Sequence, residues 1–446
     1  GVTQAMARIS AMDTLSGVRK TVIPNVNEQI KGVFSIRELH PSHWGKYCCI
    51  ETPDGASIGI HKALAVFATI SIYRSPCIII EILDDIKLLV PVDFETIKQK
   101  IEKSGKLFVN GKWVYTFNVN DSNIIVKKII ELRRKSFIPY DVSIVQDAIM
   151  KEIRIYSDHG RVISPYIIVD RKKGKNVPRF DTDALIKLKT EKWQFSDLVQ
   201  NSIIEYLDPQ EMVNTHIHYD YRLMMELDQE LEKFTHIELH PSAILGISAL
   251  LIPYIEHNPI PRNLYQTGMI KQAISLPTHG FNCLFTKMFI LLRRQRAIVD
   301  TFISDYCKIS KNPNGNNLIL AIACYGGANQ EDAIIASQST IQRGFGKICQ
   351  FFVEKSKLKS HQWFRRPSKA NCVNYSEIKN YSKLDSNGVV VVGSIIEKGD
   401  VIIGKVESYD RAEQTGTAEF VDVSIEYKYE DPAIVINVAN GINGEG

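Results

Sequence analysis

Apolar and polar positions change rhythm several times along the chain. Between 64 and 92, "LAVFATISIYR", "SPCIIIEIL" and "KLLVPV" are short apolar, β-branched runs that predict strands. "KLFVNGKWVYTF" alternates on both sides of Asn110-Gly111 and predicts a hairpin. "NIIVKKIIELRRK" shifts to helical spacing and ends on basic residues, which suits a helix C-terminus. "EIRIYSDHGRVISPYIIV" reads as a second hairpin, turning at Asp158-His159-Gly160. Farther on, "HNPIPRNLYQTGMIKQA" uses Pro259 and Pro261 to bracket an extended entry, with a helix starting after Arg262. The β-prone run "LILAIA" at 318–323 follows a turn at 312–315 and leads into the polar knot "YGGANQEDAIIASQSTIQRG" at 325–344. After Gly346 the pattern is β-like, with a turn at Ser386-Asn387-Gly388.

With 446 residues the chain exceeds one ordinary core, so two to four domains are expected. A composition of 44% hydrophobic and 23% charged residues is that of a well-folded protein. The net charge of +4 does not mark a nucleic-acid binder, so any basic surface must come from local clustering. None of the eight cysteines forms a C-x-x-C pair, and several sit in apolar runs. They read as reduced core residues of an intracellular protein, with no zinc site. The longest apolar stretch, 243–255, contains Pro253 and is shorter than the ~18–20 residues of a membrane span. The start at Gly1 and the end in "ANGINGEG" suggest a piece of a longer polypeptide.

Four stretches carry candidate chemistry. In "GGANQED", Gly326 and Gly327 permit close backbone approach, and Glu331 and Asp332 offer hard oxygen ligands for a phosphate-bound magnesium. The plainer alternative is a solvated turn with Asp332 capping a helix. In the 257–273 stretch, Arg262, Gln266, Lys271 and Gln272 recur at helical spacing and suit phosphate contacts, or else form an ordinary solvated helix face. "ELHPSHWGKYCCIETPDGASIG" concentrates His40, His43, Trp44, Glu51 and Asp54. A loop held by hydrogen bonds fits it better than a metal cage, because the cysteines are adjacent and no ligand spacing accompanies the histidines. "EKSKLKSHQWFRRPSK" at 354–369 is the densest basic run, with Trp363 and Phe364 interleaved. It suits phosphate and base stacking, or a solvated loop. "RKKGK" at 171–175 is a weaker basic loop.

Taken in order, "IRELHPSHWGKYCCIETPDGASIG", "HIELHPSAILGISALLIPYIEHNPIPRNLYQTGMIKQAI" and "AIACYGGANQEDAIIASQSTIQRG" resemble three signature regions of one family. It is the second-largest, β-like subunit of multisubunit DNA-dependent RNA polymerases, of the eukaryotic, archaeal and large-DNA-virus type. The resemblance implies an α+β, multidomain chain with a mixed, β-barrel-like hybrid-binding core. It maps a fork on 1–65, external domains on 66–195 and 196–240, the hybrid-binding region on 241–346 and the wall or flap on 347–446. A fork loop at 27–37 would lie near downstream DNA.

Site residues follow from the same resemblance. Arg262 matches the arginine on the incoming triphosphate. Asp332, with Glu331 beside it, matches the acid near the second, nucleotide-borne Mg2+. Tyr265 and Glu51 match positions bordering the nucleotide site, Lys271 and Gln272 positions near the RNA backbone, and Arg19 a basic position in the fork. The implied partners are the largest subunit, which carries the aspartate triplet for the tightly held magnesium, the assembly subunits, DNA template, RNA–DNA hybrid and NTPs, with no membrane. The implied activity is nucleotidyl transfer only in that complex. The implied location is the nucleus, or host cytoplasm or virion for a viral enzyme. "LLRRQRAIV" departs from the family's aromatic-Pro-Gln-basic-Pro run and hints at a divergent lineage. The alternative is a non-catalytic nucleic-acid-binding or assembly scaffold that kept the fold.

Overall fold

The computed structural model describes residues 3, 5–22, 34–92, 104–172, 174–227, 233–274, 287–408, 420–439 and 441. The fork loop expected at 27–37 lies outside them up to residue 33, and so does Cys283. The fold is α+β and divides into two compact units, Gly1–Phe351 and Phe352–Gly446.

In the first unit a five-stranded sheet runs in the order Val90–Pro91, Lys112–Asn118, Ser104–Val109, Glu152–Tyr156, Ser143–Asp147. The Asn110-Gly111 hairpin forms as expected, with both residues at positive φ (48° and 79°), which is why Gly suits the second position. The helix Ser122–Arg134 also forms and buries Ile125, Val126 and Ile129 against this sheet's core. The run "SPCIIIEIL" is a helix, Pro76–Asp84, and not a strand. Pro76 suits a first turn, and Ile79 and Leu83, four apart, face the same core.

The stretch read as a second hairpin belongs to two different sheets. Glu152–Tyr156 stays in the five-stranded sheet. Val162–Lys172 instead centres a six-stranded one, pairing with Lys175–Pro178, Ile204–Leu207, His236–Glu238 and Thr69–Ile70. Ser71 and Arg161 redirect the chain between them, with Ser71 N donating to Arg161 O at 2.8 Å and Arg161 N to Ser71 Oγ at 3.0 Å.

Buried charge joins these sheets. Arg133, at the basic end of its helix, reaches Glu205 Oε1 at 2.6 Å and Glu211, and donates to Val142 O at 2.7 Å. Burial works against the Arg133 charge, but the two carboxylates outweigh it and raise its pKa. Burial pushes Glu211 up to about 7 in spite of Arg133. Burial also opposes the Glu205 charge, yet Arg133 and His236 hold that carboxyl well below its usual range. Lys46 is fully buried and donates to Ser164 Oγ and to Leu207 O at 2.6 Å. Burial brings its pKa down to about 7, against Asp208, Glu211 and Glu238.

The second unit packs Tyr381, Leu384, Val390, Ile396, Val401, Ile402 and Tyr427 among short strands. Its turn at 386–388 forms, with Gly388 N donating to Asp385 O at 3.2 Å. The described cysteines are all free thiols, but only Cys48 and Cys372 are buried. Cys49, Cys77 and Cys324 are exposed, so the reading of the cysteines as core residues is corrected for these three. No helix among the described residues is long and apolar enough to cross a membrane.

Candidate nucleotide and nucleic-acid site

The helix carrying Arg262 spans Ile260–Gln272 and starts three residues earlier than the prolines suggested, with Pro259 as N-cap. Its buried face holds Asn263 and Thr267, and Asn263 Nδ2 donates to Ile255 O at 2.8 Å. Arg262, Tyr265, Gln266 and Met269 recur three and four apart on the open face. The Arg262 guanidinium lies 5.7 Å from the Tyr265 ring centre. A cation held at that distance from a ring can still offer N–H groups to an oxyanion.

Lys271 does not share this face. Nine residues at about 100° each place it half a turn from Arg262. There it pairs with the buried Glu51, Nζ to Oε1 2.8 Å. The same oxygen accepts Ser16 Oγ at 2.7 Å and Ser248 Oγ at 3.1 Å. Ser16 belongs to the helix Ala11–Val18 and Ser248 to Ile247–Leu250, so one carboxylate oxygen ties three helices together. Ser10 adds a bond to the third, Oγ to Lys271 O 2.7 Å. The fit is close: a Cβ on Gly246 would stand 2.9 Å from Glu51 Oε2. Ser10, Ser16 and Ser248 escaped sequence reasoning. Only Ser10 had a readable signal, as the N-cap three residues before Asp13.

Arg19 is also committed locally. Its Nη2 donates to the carbonyls of Ala65, Val66 and Ala68 at 2.7, 3.2 and 3.0 Å. His40 and His43 form a capping box around Pro41–His43, with His40 Nδ1 2.8 Å from Ser42 Oγ, which matches the hydrogen-bonded-loop reading.

The acidic knot is laid out differently. The run 318–323 forms no strand, and its side chains are exposed, Ile322 at 94%. This corrects the expectation of a β-strand leading into the knot: no neighbouring strand pairs with the run among the described residues. Asp332 caps no helix, because the next one, Gln338–Gln342, begins after Ser337. Asn329 organises the loop, accepting from Tyr325 N at 3.0 Å and donating to Ala323 O at 2.6 Å. Gly326, Gly327, Glu331 and Asp332 all have positive φ, 56°, 77°, 50° and 64°. Two adjacent acids in that region store strain, and strain of this kind clusters at functional loops.

The "LLRRQRAIV" stretch is hydrogen-bonded to the segment leading into this loop. Gln295 N donates to Gly315 O and Asn317 N to Gln295 Oε1, both at 2.9 Å. Asn317 Nδ2 donates to Arg296 O at 2.7 Å. Among the described residues no hydrogen bond, ion pair or ring contact joins the acidic loop to the Arg262 face, and no three His, Cys, Asp or Glu side chains cluster as a metal cage.

Three domain models match the chain in order. They are RNA polymerase Rpb2 domain 3 on residues 4–70, domain 4 on 107–170 and domain 6 on 248–444. The chain belongs to the second-largest-subunit family of RNA polymerases. It is 32% identical to DNA-directed RNA polymerase II subunit 2 of Arabidopsis thaliana over 100% of its length, covering 38% of that subunit. It is 34% identical to the RPB2 subunit of Encephalitozoon cuniculi over 91% of its length, covering 36% of that subunit. It is 33% identical to subunit Rpo2 of Saccharolobus shibatae over 98% of its length, covering 38% of that subunit. The chain thus spans a little over a third of the length of these relatives. The Glu51 helix cluster falls under the domain 3 and domain 6 matches, and the acidic loop under domain 6.

Proposed function

We propose that this chain works within the second-largest subunit of a DNA-dependent RNA polymerase and lines one side of the nucleotide site. The reaction is attack of an RNA 3′ hydroxyl on the α-phosphorus of an NTP, with pyrophosphate leaving. The observation that carries the proposal is the open face of Ile260–Gln272, where Arg262 stands over Tyr265 on a helix tied down by Glu51. Phosphoryl transfer asks mainly for positioning and charge neutralisation, and a guanidinium held beside an aromatic ring on an anchored helix supplies both. Arg262 neutralises triphosphate oxygens and the Tyr265 ring helps to hold the guanidinium in place. Gln272 and Lys271 lie at the far end of the helix toward the RNA backbone, with Lys271 held by Glu51. Arg19 acts through its carbonyl contacts by shaping the fork.

Glu331 and Asp332 are exposed oxygen donors without a third ligand among the described residues, which suits a magnesium ion that arrives on the nucleotide and keeps most of its water. That ion would offset charge on the leaving phosphates. The fork, external, hybrid-binding and wall names, the β-barrel-like core, the catalytic partnership with the largest subunit and the assembly subunits, and a nuclear, cytoplasmic or virion location belong to the same proposal.

The test is elongation by the assembled polymerase. Arg262→Ala should lower kcat/KM for NTPs by about 10²-fold or more, the scale of losing one charge-stabilising donor. Asp332→Ala should raise the magnesium concentration needed for half-maximal rate. An unchanged NTP dependence would remove the phosphate role. Normal assembly with no dependence on either residue would mark the chain as a scaffold.

A further inference from the structure

A small cavity in the first unit lies on one face of the six-stranded sheet. Gly45, Ser164, Tyr166 and Glu238 line it, together with Phe67 and Ala243. The sheet explains why three polar side chains meet there. Ser164 and Tyr166 are two apart on Val162–Lys172, so they share a face. Glu238 pairs directly with Tyr166 across the strands, which puts its side chain on that face too. Gly45 keeps room beside them. At φ 65° the position suits glycine, and a Cβ there would stand 3.1 Å from Tyr166 Oη and 3.8 Å from Ser164 Oγ. The space open to the centre of a water is about 10 Å³, room for one molecule.

The polar atoms around this space form most of a chain, and its donors all run one way. The Lys46 ammonium donates to Ser164 Oγ and to Leu207 O. Ser164 Oγ donates to Tyr166 Oη at 3.1 Å. Burial raises the pKa of the Tyr166 phenol, so its O–H stays available to donate. Among the described residues that proton meets Met212 Sδ at 3.5 Å, a weak acceptor. Glu238 stands at the other end and is only 5% exposed. Trp44 Nε1 donates to its Oε1, while its Oε2 is buried with no hydrogen-bond partner among the described residues. A buried carboxylate oxygen without a donor is costly, and here a good donor and an orphaned acceptor border the same space.

We propose that one water molecule occupies this cavity and completes a hydrogen-bond chain from the Lys46 ammonium to the Glu238 carboxylate. The water accepts from Tyr166 Oη and donates to Glu238 Oε2. The order is then Lys46, Ser164, Tyr166, water, Glu238, each group donating to the next, and members of such a chain polarise one another. It ties the turn at 44–46 to the strands Val162–Lys172 and His236–Glu238. A metal ion fits the space poorly. One carboxylate lines it and the Lys46 cation is bonded to the same wall, whereas hard cations ask for about six oxygen ligands.

The first test is a crystal structure of the 446-residue chain at a resolution that shows ordered waters. One water should lie within about 3.2 Å of both Tyr166 Oη and Glu238 Oε2. The second test follows the Glu238 proton by infrared titration, its carboxyl band being assigned by its loss in Glu238→Gln. Burial lifts this carboxyl to about 7, against the Trp44 bond and the Lys46 charge, and Lys46 in turn faces Asp208 and Glu211. Tyr166→Phe removes the group that holds the water, so the proton affinity of Glu238 should rise about tenfold, the scale of one hydrogen bond to a charged group. The wild-type map decides even if Tyr166→Phe fails to fold. No water at the site, a water that reaches only one of the two groups, a protein donor on Glu238 Oε2, a metal ion in place of the water, or an unchanged proton affinity in Tyr166→Phe would overturn the proposal.

Discussion

The helix cluster around Glu51 and the acidic loop at 325–344 each carry a family motif, and they treat charge in opposite ways. Glu51 is buried, and one of its oxygens takes two hydroxyls and an ammonium from three helices. Glu331 and Asp332 lie in solvent at positive φ, with no ion pair among the described residues. Apolar residues follow the same division. Ala249 and Cys48 are buried beside Glu51, whereas Ile319, Ile322 and Ile334 around the loop are exposed. A paired, buried carboxylate stabilises a shape. An unpaired, exposed one keeps its charge available for an incoming cation or cation-bound phosphate. The two acids therefore should fail differently when changed.

The largest effect belongs to the buried side of the comparison. Arg133→Met leaves Glu205 and Glu211 facing each other without their cation. Breaking a buried ion pair in this way costs about 3–5 kcal/mol. Urea unfolding of the chain measures it. A loss below 1 kcal/mol would show that the two carboxylates relax by taking up a proton, which the pKa of about 7 at Glu211 makes the competing outcome.

Lys46 gives the next effect, and it depends on pH. Burial lowers its folded pKa to about 7, while the unfolded chain titrates near the ordinary lysine value. Between those pH values the unfolded state binds more protons, so stability climbs as pH rises from 7 towards 10. Each pKa unit is worth about 1.4 kcal/mol, and the value of about 7 already includes the opposing pull of Asp208, Glu211 and Glu238. Lys46→Met should flatten that climb in thermal melts from pH 7 to 10. An identical slope in both proteins would place the titration elsewhere.

What could be read from the sequence follows the range of the interaction. The Asn110-Gly111 hairpin and the helix Ser122–Arg134 were legible because their causes are local: two positive φ angles and an amphipathic repeat. The helix Pro76–Asp84 looked like a strand because Ile78, Ile79 and Ile80 hide the helical face. Only Pro76 and the Ile79–Leu83 spacing betray it. The turn after Ser157 correctly signalled a change of direction, but a turn does not say which sheet the next strand joins. Arg262 and Tyr265 were found as motif residues, and their pairing follows from spacing. Lys271 was grouped with them although nine residues carry it to the opposite face. The serines on Glu51 were out of reach: Ser248 is 197 residues away, and nothing in its neighbourhood announces the contact.

Glu51 tests whether its cluster is held by charge or by shape. Glu51→Ala leaves two buried hydroxyls and the Lys271 ammonium without their acceptor, a loss of about 2 kcal/mol. Glu51→Gln keeps an oxygen for the serines and removes only the charge, so it should recover roughly half of that. Equal losses in the two variants, measured by urea unfolding, would mean that the ion pair with Lys271 dominates the cluster.

The smallest effect is on the exposed side and has the opposite sign. Asp332 sits at φ 64°, where a side chain strains the backbone and glycine does not. Relief of that strain favours Asp332→Gly, while the greater freedom of glycine in the unfolded chain opposes it by about 0.4–1 kcal/mol. The net change should be neutral to slightly stabilising, below about 1 kcal/mol, because no hydrogen bond or ion pair among the described residues holds the carboxylate in place. In the assembled polymerase the same substitution should raise the magnesium requirement, as Asp332→Ala does. Stability held or gained together with activity lost is the signature of a residue kept in a strained position for its charge. A clear loss of stability would instead make Asp332 a structural member of the loop, and the contrast with Glu51 would disappear.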